Sequence, residues 1–382
     1  MSVSNPDLLY YDVLISNFQN TNISNRPAQY QDAREQAYLH NPDKYNLSVV
    51  RWTADTASLP VWRCSIQKDA PSPNLSIYSI TLTYNGIPYQ VYLNYEPQSK
   101  ATPVPGAPFD QRDGLQSNLN LYYDVYSYQY VVYLFNQTLK AAFALLPPAI
   151  KALTFPPSFI YNPDLKTVSL YCDQDYYSNT NTVTAQISIF FNPATAGMFS
   201  SLPFYINKFI DTNGQNFQVI TDIFGISNTS PFPPTSVPGD GVYQYTADVI
   251  YQEYSTISQW NPVCSMVITS TTLPVSPTCI SGTVQATDIN GFAANLSNGL
   301  QNNAVLPIIT DYSTDTSASG YKPYLYYVPS AEYRRIELIG GTALTNIDLS
   351  LFWKGRDGQL NAFILSGGAT ITVKLLFEKI KE

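Results

Sequence analysis

In the segment "NIDLSLFWKG", Leu349, Leu351 and Trp353 alternate with Asp348, Ser350 and Phe352. A two-residue period turns alternate side chains to opposite faces of a strand, so the segment predicts a strand with one buried face. The same period recurs along most of the chain. "LLYYDVLISN", "NLSVVRWTA" and "PVWRCSIQ" open the series, and "KTVSLYC", "TAQISIFF", "FQVITDI", "YQYTADVIYQEYST", "WNPVCSMVITST" and "LPVSPTCISG" continue it. "YLYYV", "YRRIELIG", "LNAFIL" and "TITVKLLFE" close it. The clearest pairing signal is "SIYSITLTYNGIPYQVYLNY". Its Asn85-Gly86 supplies the positive φ angles of a type I′ turn between two alternating runs, which predicts a hairpin.

One segment breaks the period. In "YDVYSYQYVVYLFNQTLKAAFALLPP", Val131, Phe135, Leu139, Ala142 and Leu146 recur at helical spacing. They form one apolar stripe for packing on a sheet; Asp124 or Ser127 can cap the start, and Pro147-Pro148 stop the helix. "NPATAGMFSSL" predicts a short helix with Asn192 as N-cap and Pro193 at its first position. "EPQSKATPVPGAPFDQRDGLQSN" and "NTSPFPPTSVPGDG" carry too much Pro and Gly for a regular element, and predict long loops at about 96–120 and 226–242. "NGFAANLSNGLQNN" also reads as loop. The expected architecture is all-β: an antiparallel sandwich of the single jelly-roll type, with one substantial helix and long loop insertions. We read residues 1–382 as one such domain, and its length implies inserted loops or a small subdomain.

Composition strengthens the β reading. The chain has 31 Tyr and 18 Phe against 20 Lys+Arg and 28 Asp+Glu, and aromatic residues suit pleated, half-buried surfaces. A formal net charge of −8 argues against an extended basic surface for DNA or RNA. No basic start followed by an apolar run suggests a secretory signal, and no uncharged apolar stretch of about 18 residues predicts a membrane span. Without a signal, Cys64, Cys172, Cys264 and Cys279 are expected to be reduced, buried thiols. The sequons at Asn22, Asn46, Asn74, Asn136, Asn228 and Asn295 then reflect Asn, Ser and Thr abundance.

Candidate chemistry is sparse. His40 is the single histidine, in the polar context "YLHNPDKY", so no multi-histidine metal site is possible and an exposed loop position is expected. In "CDQDYY", Asp173 and Asp175 would share one face of a strand, and nearby carboxylates can bind a divalent cation or divide acid and base roles. With Glu253 they make the one pair worth testing for glycoside hydrolysis, but D-x-D is common and solvated strand-end acids are the simpler reading. No phosphate-cradling glycine motif occurs. The sequence therefore offers no catalytic residue, metal ligand or cofactor site.

Several segments together carry a resemblance. They include "NLSVVRWTADTASLPVW", "NLSIYSITLTYNG", "YSYQYVVYLFNQTLKAAFALL", "ISIFFNPATAGMFSSLP", "YQEYSTISQWNPVCSMVITSTTLPV", "IITDYSTD" and "YRRIELIGGTALTNIDLSLFWKGRDGQLNAFILSGGATITVKLLFEKI". The chain resembles the penton, or minor capsid, proteins of virophages and Polinton-like DNA viruses, nearest to those of the Sputnik type. Trp260, Asn261, Pro262, Asp311, Trp353 and Gly358 fit that family's pattern, and we assign them structural roles. The resemblance implies a jelly roll standing upright at the icosahedral five-fold vertex as a homopentamer. It also implies neighbours built from a double jelly-roll major capsid protein, and a virion protein assembled in the host cytoplasm. The alternative is a jelly-roll carbohydrate-binding or host-attachment module, its stacking aromatics set in Phe232–Tyr243 or Pro105–Leu121. Lys374, Glu378 and Lys379 on the last strand are candidates for protecting a sheet edge or pairing across a subunit boundary.

Overall fold

The fold is that of a computed structural model, which describes residues 7–17, 26–56, 59–68, 70–96, 122–179, 186–221, 230–232, 245–276, 278–280, 284–287, 293–295, 304–313, 324–328, 335–356, 358, 360–365 and 367–381. These residues are mostly strand, and they group into two compact units. One is drawn from Met1–Pro60 and Pro262–Glu382, the other from Val61–Gly106 and Gln116–Asn261. The first unit thus joins the two ends of the chain, and the middle of the sequence forms the second around a core of its own.

Eight strands frame the first unit: β1 (Leu8–Ser16), β2 (Gln29–Ala33), β3 (Tyr45–Asp55), β4 (Val263–Thr269), β5 (Ile308–Ser313), β6 (Tyr324–Tyr327), β7 (Asn346–Gly355) and β8 (Thr370–Lys379). One sheet runs β1-β8-β3-β6. The second runs β2-β7-β4-β5, with Leu360–Ala362 pairing the C-terminal half of β7 beyond the end of β2. All eight pair antiparallel. Alternation explains how the sheets meet. Ile347, Leu349, Leu351 and Trp353 of β7 are buried in one core with Ile371, Val373, Leu375 and Phe377 of β8. This is sheet-on-sheet packing, in which the inner faces interdigitate.

The last strand corrects one expectation. β8 lies between β1 and β3, in the interior of its sheet. Lys374, Glu378 and Lys379 protect no edge; Lys374 pairs with Asp12 at 3.6 Å, Glu378 with Arg335 at 3.2 Å and Lys379 with Asp7 at 3.9 Å.

In the second unit the helix α1 (Tyr128–Ala144) lays Val131, Phe135, Leu139 and Ala142 into the core, as its spacing requires. Ser127 occupies the N-cap position without a side-chain capping bond, and Pro148 opens a further turn, Pro148–Lys151. The rings of Phe135, Phe159 and Phe199 pack together, with Phe159 and Phe199 stacked at 4.6 Å. Strands Leu75–Tyr84 and Ile87–Asn94 form the expected hairpin, with Asn85 at φ 50° and Gly86 at φ 76°. Asn192 caps Pro193–Met198 by accepting from the Thr195 amide at 3.0 Å.

Three further expectations meet the structure unevenly. The loop at 96–120 lies outside the described residues except for Glu96, as does most of 226–242. Within the latter, Ser230–Phe232 is a strand pairing with Tyr245–Tyr251. Of "NGFAANLSNGLQNN", Ala293–Asn295 is a strand and the rest lies outside the described residues.

Candidate functional site

The motif residues fall on a few elements. Trp260 ends a short helical turn, Ile257–Trp260, is buried, and donates from Nε1 to the Met198 carbonyl at 2.7 Å. Its ring meets Phe199 edge-on at 5.6 Å. Asn261 is buried beside it in sequence. In the first unit, Pro262 accepts a hydrogen bond from the Arg356 amide at 3.0 Å, which ties the start of β4 to the turn after β7. Gly358 closes that turn by donating to the Gly355 carbonyl at 2.9 Å, and its φ of +80° is one that favours glycine. Asp357 lies outside the described residues. Trp353 is buried between the sheets, opposite Met266 of β4. Asp311 is exposed on β5, opposite Val267. The structure thus brings Pro262 to the Gly355–Gly358 turn, while Trp353 faces the core and Asp311 the solvent.

The paired acids do not form the strand-face dyad. The strand stops at Asp173, which N-caps the helical turn Gln174–Tyr177. Its Oδ1 accepts from the Asp175 amide at 3.1 Å and its Oδ2 from the Thr154 hydroxyl at 2.7 Å. Burial pushes the Asp173 carboxyl above the usual carboxylate range, against the two hydrogen bonds that favour its ionised form. Asp175 and Glu253 are exposed. The short polar side chain of Asp173 at a strand end satisfied a local backbone donor, which is the N-cap preference of Asp.

His40 is exposed, as its polar context suggested. Cys64 and Cys172 are buried thiols, and burial pushes the Cys64 thiol well up. Cys264 is exposed, against expectation. The β4–β7 register slips between Val263 and Ser265, so Cys264 is the extra residue of a bulge that turns it outward. The Cys279 side chain and the proposed glycan-stacking segments, apart from the backbone of Phe232, lie outside the described residues. Among the described residues no group of three His, Cys, Asp or Glu is placed to hold a metal, and no helix is long and apolar enough to cross a membrane.

Two carboxylates that sequence patterns did not single out organise the first unit. Asp348, on the outer face of β7, accepts from the hydroxyls of Ser270 (2.7 Å), Thr271 (2.8 Å) and Thr272 (2.6 Å) and from the Thr272 amide (2.7 Å). Burial alone would raise its pKa, but these donors outweigh it and hold the carboxyl below its ordinary value. Asp32 does similar work where β1 and β2 approach. It accepts from Tyr38 at 2.6 Å and Tyr11 at 2.7 Å, and pairs with Arg34 at 3.1 Å. The tyrosine hydroxyls lower its pKa first, with Arg34 adding to the effect. Both sites are saturated by protein donors, which suits holding backbone in place.

Comparison with known proteins gives these features a setting. The Sputnik virophage protein V18, described as uncharacterized, is 34% identical over 143 residues, 36% of this chain and 83% of the relative. Structural protein V19 of the same virophage is 23% identical over 226 residues, 58% of this chain and 94% of the relative. A chain in the cryo-EM structure of the Sputnik virophage superposes with a TM-score of 0.76 at 26% identity, covering 98% of both chains. The crystal structure of the mavirus penton protein shares the fold, with a TM-score of 0.60 at 17% identity over 98% of this chain and 100% of that one. The family model described as Sputnik minor capsid protein V18/19 matches residues 9–379, across both compact units. The chain therefore belongs to the Sputnik minor capsid protein V18/19 family and is a structural protein of the virion capsid.

Proposed function

We propose that the protein is the penton of its capsid, a homopentamer at the icosahedral five-fold vertices, carried on a single jelly roll. The strand order is the observation that carries this reading. Numbered along the chain, β1 pairs with β8, β2 with β7, β3 with β6 and β4 with β5. Four nested antiparallel pairs rolled into two sheets make a jelly roll, the double-sheet architecture of many capsid domains. The middle unit is then an insertion between β3 and β4 of one jelly-roll capsid domain. The fold shared with the mavirus penton protein supports the vertex assignment. Closed five-fold assembly needs a heterologous contact in which two different patches meet around the ring.

On this reading Trp260, Asn261, Pro262, Asp311, Trp353 and Gly358 serve the fold rather than a ligand, and the protein's neighbours are double jelly-roll major capsid subunits. Assembly takes place in the host cytoplasm, without a cofactor and without sequence-specific nucleic-acid binding. Cryo-EM of particles containing this chain tests the reading. Five copies of the jelly roll around each five-fold axis are expected; the chain found elsewhere in the shell, with another protein at the vertex, would overturn it.

A further inference from the structure

The outer face of the β1-β8-β3-β6 sheet is the surface in question, and its rows can be read directly from the register. Leu14 of β1 lies opposite Thr372 of β8, Thr372 opposite Thr53 of β3, and Thr53 opposite Tyr326 of β6. The two threonine hydroxyls of this row hydrogen-bond to each other. The neighbouring row is Asp12, Lys374 and Arg51, and Tyr10 follows it on β1. Large apolar side chains therefore stand along both borders of the sheet, with threonine and charge between them.

These border side chains lie open. Leu8 is 51% exposed, Tyr10 53%, Leu14 60%, Tyr324 45% and Tyr326 67%. An aromatic ring buries about 150–250 Å² when covered, so the five together offer on the order of 500 Å². That apolar area is divided between the two borders of the sheet rather than gathered in one patch. With the polar middle included it approaches the roughly 800 Å² that each partner contributes to a stable protein interface.

The cations on the face are already answered within it, and Glu378 pairs with Arg335 at 3.2 Å. Asp12 pairs with Lys374 at 3.6 Å and Arg51 at 4.0 Å, and the Lys374 ammonium lies 5.2 Å from the centre of the Tyr10 ring. A surface built to hold nucleic acid or an anionic headgroup would present unanswered cations; this one presents tyrosine and leucine around an internally paired centre. Its exposed tyrosines are of the residue type enriched at protein interfaces, and Arg51 is another.

We propose that this face, through Leu14 and Tyr326 above all, is one half of the contact between neighbouring copies of the chain. The occupant is a second copy, because the area is of the size a subunit contact needs and the paired cations call for no anionic ligand. The assignment rests on the pentameric reading above, and it deepens that reading by naming the surface.

Mass photometry of the purified full-length chain tests it, comparing wild type with Leu14→Glu and with Tyr326→Ser. Ile210→Ser, at a fully open apolar position in the other unit, serves as the control. Wild type and the control are expected to give pentamers. Both face variants are expected to lose the pentamer peak while keeping the wild-type circular dichroism spectrum. Leu14→Ser replaces Leu14→Glu should the charged variant unfold. Pentamers that persist in the folded face variants would overturn this assignment alone, as would a pentamer lost only in the Ile210→Ser chain. An oligomer of another number that the face variants dissolve would support the face and overturn the pentamer. A wild-type chain that stays monomeric at every concentration would overturn both.

Discussion

The two outer faces of the first unit's sandwich make an instructive contrast. On the β2-β7-β4-β5 sheet, Asp348 and Phe352 of the central strand β7 are engaged by the protein itself, while Asp311 of β5 and Gln31 of β2 face solvent. Asp348 is saturated by Ser270, Thr271 and Thr272, and Phe352 packs on a small cluster of Val267, Ile308 and Leu360. On the β1-β8-β3-β6 sheet, Leu14 and Tyr326 stand exposed above a centre of paired charges. Both sheets bury their inner faces in the same core, so core packing does not account for the difference. Leu14 and Tyr326, more than half exposed, add little to the stability of an isolated subunit, and we assign them to assembly.

That contrast can be broken in order of expected effect. Trp353→Ala removes a ring from the core behind both faces and should destabilise by about 3–5 kcal/mol, read by urea unfolding. A loss under about 1 kcal/mol would mean that Trp353 does not hold the two sheets together. Asp348→Ala should cost about 1–3 kcal/mol, because the Ser270–Thr272 donors lose their acceptor. Its pH dependence has a definite sign. The folded carboxyl titrates below its unfolded value, so its contribution is full above the unfolded pKa of about 3.9 and is lost as pH falls through the folded pKa. Wild type should therefore lose more stability than the variant on acidification through that window, and parallel acid limbs would count against the nest.

Gly358→Ala forces a side chain onto a φ of +80° and should cost about 1 kcal/mol by thermal melting. Smallest of all, Leu14→Ser should shift subunit stability by no more than about 0.5 kcal/mol when the chain is held monomeric by dilution. A large loss there would show that the open face serves the fold and would remove the contrast.

Much of this fold was legible in the sequence wherever the cause was local. The two-residue period of Leu349, Leu351 and Trp353, the stripe of α1, the Asn85-Gly86 turn and the Asn192 cap each depend on neighbours a few residues away. What was missed depends on distant partners. Nothing in "TITVKLLFE" says that β1 and β3 flank β8, and β1 lies at the other end of the chain. Asp348 looked like an ordinary outward acid, since its donors lie 76 to 78 residues earlier. Alternation hides the bulge at Cys264, which changes the phase of the strand without changing its composition. The D-x-D spacing groups Asp173 with Asp175 on a strand that in fact ends at Asp173, two residues short of the pair. The open face of the first sheet was visible only as the outward half of an alternation; which outward halves are covered depends on the sheet partners.

The most direct test of the whole account is the mass of the full-length chain in solution across a concentration series. The account predicts a discrete species of five copies that is lost when Leu14 and Tyr326 are replaced. A chain that remains strictly monomeric at high concentration, and is missing from purified particles, would contradict it.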